Sequence, residues 1–112
     1  MFGSGGARAA ELRIQPLTDR AGLKVAGEIC LPTHDVWERA LIRLARHCDD
    51  GPVHLELSDV TFVDMAGATA LAVTAQRLGR DRRLVLTCPP AGLSRLLELF
   101  WPDLPAIEVA AV

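Results

Sequence analysis

VHLELSDVTFVDMAGATALAVTAQRL, residues 53–78, decides how this chain folds. Val53, Leu55 and Leu57 alternate with polar residues, the period of a strand with one buried face. Ser58–Asp59 reads as a short turn, after which Val60, Phe62 and Val63 return apolar side chains to the core. Asp64 then stands where a helix begins. Its carboxylate can accept bonds from the first free N–H groups, and its charge suits the positive end of the helix dipole. Met65–Leu78 is long enough for a helix and apolar almost all round, broken only by Thr69, Thr74, Gln76 and Arg77. Such a helix must have its apolar surface covered or hold part of it for a partner. Ala66 and Gly67 leave the first turn almost without side chains, so a partner's backbone can approach there.

Working upstream, Leu12 and Ile14 alternate and Pro16 ends the run, as in a short edge strand. Asp19–Gly22 is a turn, and Leu23–Cys30 (LKVAGEIC) alternates again, which completes a hairpin. Pro32 stops that strand. Asp35 is placed to cap a helix, with Glu38 as the return partner of a capping box. Trp37, Ala40, Leu41, Leu44, Ala45 and Cys48 then fall on one helical face, and Asp49-Asp50-Gly51-Pro52 breaks the helix. Downstream, Gly79 ends the helix of residues 65–78. Arg82–Cys88 (RRLVLTC) is a strand halted by Pro89-Pro90. Leu93, Leu96, Leu97, Phe100 and Trp101 mark one face of a last helix, and Ile107–Val109 a final strand.

The order is therefore β-β-α-β-α-β-α-β. It defines an α/β class with a mixed sheet, its parallel pairs joined by right-handed crossovers with helices packed on the sheet. Residues 1–10 are rich in glycine and alanine and read as a flexible leader; residues 11–112 form the domain. A chain of 112 residues buries roughly two-thirds of its unfolded surface, enough for one core.

Composition removes several function classes. A net charge of −2 lacks the basic excess of a nucleic-acid binder. The first residues lack the apolar segment of a signal peptide, and no run approaches the ~18 apolar residues of a membrane span, so a cytoplasmic chain without a span is expected. Cys30, Cys48 and Cys88 are odd in number and widely spaced, and are read as small core residues rather than a disulfide or redox pair. His34, His47 and His54 have no ligand-spaced neighbours, so no metal is expected. No nucleophile–base arrangement and no phosphate loop appear in the order of residues, so neither an enzyme nor a cofactor is expected. Arg77, Arg80, Arg82 and Arg83 form the densest basic cluster. They are read as favourable charge at a helix C-terminus and a solvated loop, with a contact to an acidic partner or a phosphate group as the sharper alternative.

The central segment resembles that of STAS domains, the fold of bacterial anti-sigma factor antagonists. That family shows a strand ending in Asp-Leu-Ser/Thr, then Val-x-Phe-hydrophobic-Asp-Ser-Ser-Gly and an apolar helix. The matching run is Leu57-Ser58-Asp59-Val60-Thr61-Phe62-Val63-Asp64-Met65-Ala66-Gly67. Val25-Ala26-Gly27-Glu28-Ile29 resembles the family's second-strand Gly-Glu-Leu/Ile-Asp motif, and Arg83–Leu86 and Leu93–Leu99 fall where the later strand and helix should. The resemblance spans about residues 11–110.

It implies a protein-binding regulatory domain of bacterial signalling and transcription, its partner a GHKL-type serine-kinase anti-sigma factor. The contact would use the loop Ser58–Val63 (Ser58, Asp59 and Thr61 in particular) and the helix start Asp64, Met65, Ala66, Gly67 and Thr69. Two departures matter. The serine phosphorylated in the family is Ala66 here, and the serine before it is Met65. The strand-two acid is Cys30. A phosphoserine adds nearly two negative charges beside an Asp and breaks such a complex; without an acceptor that off-switch is gone. Thr69, the nearest helix hydroxyl and one turn beyond Ala66, is read as a threonine on a partly buried helix face rather than as a substitute phosphosite. The alternative the family offers is a scaffold or accessory subunit, as in stressosome-like assemblies or beside lipid-transporting ABC ATPases. A second copy of the chain, giving a homodimer, is the other candidate partner.

Overall fold

The computed structural model describes residues 10–47, 51–78, 82–104 and 106–110. Residues 1–9 of the expected leader, Cys48, the helix-breaking Asp49-Asp50, the helix-ending Gly79 and Arg80 of the basic cluster lie outside the described residues. The elements are β1 (Leu12–Pro16), β2 (Gly22–Ile29), α1 (His34–His47), β3 (Val53–Val63), α2 (Met65–Arg77), β4 (Leu84–Thr87), α3 (Ala91–Phe100) and β5 (Ile107–Ala110). This is the element order read from the sequence. The five strands form one sheet in the order β1-β2-β3-β4-β5. The β1–β2 pair is antiparallel and the other pairs are parallel.

One face of the sheet carries the core. Val25 and Ile29 of β2, Val53, Leu55, Leu57, Val60 and Val63 of β3, and Leu84 and Leu86 of β4 share one buried cluster with residues of α1, α2 and α3. Trp37, Leu41 and Leu44 come from α1, Ala68, Leu71 and Ala75 from α2, and Leu93 and Leu97 from α3. The period of 2 in the strands meets the period of 3.6 in the helices on this one surface. On the opposite face His54, Glu56, Val85, Thr87, Glu108 and Ala110 line a shallow groove of ≈ 530 Å³ together with Arg20 and Arg83.

The structure differs from the sequence reading at three places. Ser58–Asp59 is not a turn: β3 runs unbroken from Val53 to Val63. Its register against β2 slips between Lys24 and Ala26 and again between Gly27 and Glu28. These bulges leave Ser58–Asp59 and Thr61–Phe62 as exposed pairs, which gives a bent strand the polarity pattern of a turn. Gly27 sits at the second bulge with φ +117°, and a side chain there would collide with the Glu11 carbonyl.

Asp35 does not cap α1. A 3-10 turn, Leu31–Thr33, precedes the helix, and Asp35 lies in its first turn. Thr33 supplies the polar closure instead. Its Oγ1 accepts from Cys30 N at 3.0 Å and donates to Glu28 O at 2.7 Å. Pro32 favours the tight turn, and Asp35 still complements the helix dipole from within. Finally, Cys88 is exposed rather than a core residue, and Cys30 is half-buried. Cys88 adopts φ +51° in the turn that leads β4 into Pro89, which aims its side chain outward.

Candidate functional site

The β3–α2 junction is held from three sides. Asp64 N donates to Ile29 O at 3.0 Å, so the end of β3 stays tied to the end of β2. Asp64 caps α2, its Oδ1 accepting from Gly67 N at 2.8 Å. Trp37 Nε1 donates to Gly67 O at 3.1 Å, which fixes α1 to the first turn of α2. The N-cap expected at Asp64 is therefore present.

Gly67 plays a different part from the one expected. It is buried, and a Cβ there would stand 2.5 Å from Ile29 Cγ2 and 3.1 Å from Val63 Cγ1. Its missing side chain makes room for the sheet beneath it, not for a visitor outside. The outward residues of the turn are Met65, 42% exposed, and Ala66. From them an exposed strip continues along α2 through Thr69, Val73, Gln76 and Arg77, while Ala68, Leu71, Ala72, Thr74 and Ala75 are buried. The almost uniformly apolar helix is thus covered on most of its girth, with a narrow strip left to solvent. Thr69 Oγ1 donates to Met65 O at 2.8 Å, so the one hydroxyl near Ala66 is folded back onto its own helix.

Beside this strip runs a groove of ≈ 540 Å³ between α1 and α2. Leu41, Ile42, Ala70 and Val73 give it apolar lining, His34, Glu38 and Arg77 give it polar groups, and Ala66 and Thr69 complete the lining beside them. His34 Nε2 lies 3.6 Å from a Glu38 carboxylate oxygen one turn on. Sequence reasoning gave α1 no part in the site. The signal was its Leu41–Ile42 pair beside the helix of residues 65–78, but helix adjacency is a tertiary fact.

The remaining candidates lie elsewhere. Ser58, Asp59 and Thr61 are exposed on β3, and strand rise alone puts Ser58 about 20 Å from Asp64. Ser58 Oγ donates to Glu56 Oε1 at 2.7 Å and its N–H to the same oxygen at 3.1 Å. Those two bonds hold the Glu56 carboxyl below its ordinary value, with Lys24 and Arg20 adding to the effect and burial opposing it. Thr61 Oγ1 donates to Gly27 O at 3.3 Å across the bulge. The structure therefore brings Asp64, Met65, Ala66 and Thr69 together at one helix start and leaves Ser58 and Asp59 apart from them. Phe62 (50% exposed), near the end of β3, and Leu31 (85% exposed), just after β2, are further exposed apolar side chains. Among the described residues no group of three or more His, Cys, Asp or Glu side chains converges as a metal site, and no helix is long and apolar enough to cross a membrane.

The chain is a mixed sheet with helices packed on one face and an Asp-capped, largely apolar helix after its central strand. The family model of the Mlab STAS domain matches residues 13–101, and the chain belongs to the STAS domain family. Among solved structures it is similar in fold to an anti-sigma factor antagonist from Mycobacterium paratuberculosis, with a TM-score of 0.65 at 23% identity over 89% of this chain and 86% of that one. No curated protein matches the sequence.

Proposed function

We propose that this chain is a protein-binding module of the anti-sigma factor antagonist kind, and that phosphorylation at position 66 does not switch it. Its contact runs along the exposed strip of α2 from Met65 to Val73 and into the α1–α2 groove. One observation carries this reading. The rigidly capped start of α2 turns two apolar residues without a phosphate acceptor, Met65 and Ala66, toward solvent beside a groove. An apolar, small-residue helix start lets a partner come close, and a Glu38–Arg77 rim fixes its orientation. The partner that fits the family pattern is a GHKL-type serine-kinase anti-sigma factor, met in the cytoplasm, with transcription as the regulated process and no catalytic act by this chain. Ser58, Asp59 and Thr61 belong to the contact only where a partner wraps from the helix start onto the sheet.

A second reading rests on Met65, Ala66 and Cys30 standing where the family pattern has two serines and an acid. Constant binding suits a permanent accessory or scaffold subunit, as in a stressosome-like or lipid-transporting ABC assembly. Tagged full-length chain and its Ala66→Glu variant, used as baits in the native cell, separate the readings. A GHKL kinase captured by the first and lost with the second supports the antagonist reading; a transporter ATPase lost in the same way supports the accessory reading. Equal capture by both baits removes the contact from α2. Incubation with the captured kinase and ATP leaves the chain unmodified, and phosphate on Thr69 or Ser58 overturns the unswitched reading.

A further inference from the structure

The groove between α1 and α2 restricts the kind of segment that can fill it. Strands β2, β3 and β4 are parallel, so the helices that return between them, α1 and α2, run side by side in one direction. The bond from Trp37 to Gly67 joins their first turns. Along α2 the groove is lined by Ala66, Ala70, Val73 and Arg77, and along α1 by Glu38, Leu41 and Ile42. From Ala66 to Arg77 the helix rises ~16 Å, about three turns. Glu38, next to Trp37, therefore stands beside the start of α2, and Arg77 stands at the far end. The seam is acidic at one end, basic at the other, and apolar or small-chained between. Its middle has little to offer a peptide backbone. The main-chain groups of both walls are bonded within their own helices. Thr69 Oγ1 donates to Met65 O and Thr74 Oγ1 to Ala70 O, each at 2.8 Å, so both hydroxyl protons are used inside α2.

We propose that this groove receives an amphipathic helix of the partner, about three turns long and antiparallel to α2, with an acidic residue in its first turn against Arg77 and a basic residue in its last turn against Glu38. The inference rests on α2 as the contact surface and adds the chemistry of the segment that binds it. The occupant is a helix because an extended segment would turn its inward N–H and C=O groups onto apolar side chains, whereas a helix satisfies its own backbone. Leu41, Ile42 and Val73 meet its apolar face, and the short side chains of Ala66 and Ala70 let its backbone come close. The direction follows from charge. An antiparallel helix sets its acid near its own N-terminus and its base near its own C-terminus, where the helix dipole favours each. The parallel order would put both charges at the wrong ends. Its dipole also opposes those of α1 and α2 instead of adding to them.

Two lactam-stapled helical peptides of about three turns, with one shared stripe of leucines, are the probes. The first has glutamates in its first turn and lysines in its last; the second has these charges exchanged. Each is titrated into the isotope-labelled full chain and followed by amide NMR. Shifts are expected at Ile42, Ala70 and Val73, with the first peptide binding about tenfold tighter than the second. The double variant Glu38→Lys/Arg77→Glu, changed at two exposed positions, reverses that preference. Val73→Glu weakens the binding of both peptides. Absence of shifts along the groove, equal affinity for the two peptides, or a preference that the double variant leaves in place overturns the proposal. Capture of the native partner separates this failure from failure of the α2 contact. A partner lost on Ala66→Glu but fully held by the double variant and by Val73→Glu keeps the contact on α2 and removes the helix from the groove. A partner held by Ala66→Glu overturns both.

Discussion

Trp37 Nε1 donates a 3.1 Å hydrogen bond to the carbonyl oxygen of Gly67. The bond joins the largest fully buried side chain to the first turn of the helix that carries the candidate site. It explains how α2 holds its start without long side chains of its own. Small residues there, Ala66, Gly67 and Ala68, cannot anchor the turn, so α1 and the Asp64 cap do so.

Trp37→Phe keeps a buried ring and deletes the N–H. The Gly67 carbonyl loses a partner and a small void opens. The expected loss is about 1–3 kcal/mol of unfolding free energy. Chemical denaturation measures it directly, and an unchanged midpoint would show that the bond does not matter to α2.

Gly67→Ala tests the packing argument against helix propensity. Alanine is the better helix former by ~1 kcal/mol. The added methyl, however, would stand 2.5 Å from Ile29 Cγ2, and Ile29 is fully buried. A β-branched side chain in a strand cannot rotate away cheaply. Overpacking costs about 1–3 kcal/mol, so the net change is destabilising. A rise in melting temperature would refute the reading of Gly67 as a packing residue.

Much of this was legible in the order of residues. Val53-Leu55-Leu57 alternation and the apolar face Leu93–Leu97 located their elements because burial on one side imposes a period. Asp64 announced its cap because only a short acceptor side chain fits that position. What stayed hidden was non-local. The bulges of β3 imitate a turn, since both leave two polar residues in succession, and only pairing with β2 separates the two cases. The Asp35 box lost to Thr33 because Pro32 tightens the turn ahead of the helix, a choice that Asp35 and Glu38 do not reveal. Gly67 looked open from the sequence because nothing there shows Ile29 beneath it. The α1 wall of the groove, with Leu41 and Ile42, depends on which helices become neighbours.

Ser58 and Glu56 yield a pH prediction. Two hydrogen bonds from Ser58 hold the Glu56 carboxyl below its ordinary value. A carboxylate lowered in the fold adds stability above its unfolded titration range, and this contribution fades as pH falls through the lowered value. The group is partly exposed, so solvent screens the effect and the change in stability is small. The carboxyl carbon of Glu56, followed by NMR from neutral to acid pH, titrates below an ordinary glutamate. In Ser58→Ala the midpoint moves up toward the ordinary value. Identical midpoints in the two proteins would show that Ser58 does not hold Glu56.

The decisive substitution for function is Ala66→Glu, because its effects on folding and binding have opposite signs. Ala66 is exposed in the first turn of α2, where a carboxylate complements the helix dipole by about 0.3–1 kcal/mol. The variant should therefore unfold at the same temperature or slightly above the parent. At the contact, the same carboxylate brings an uncompensated charge beside Asp64 onto a surface that a partner must desolvate. The expected cost is ~10-fold or more in affinity for the captured partner, the kind of loss a charge produces at the centre of an interface. Thr69→Ala serves as the comparison. The Thr69 hydroxyl is already bonded to Met65 O, so its removal leaves the outward shape nearly intact and the affinity within about threefold. Calorimetric titration of all three proteins gives the answer. A stable Ala66→Glu variant that binds as tightly as the parent would move the contact off α2.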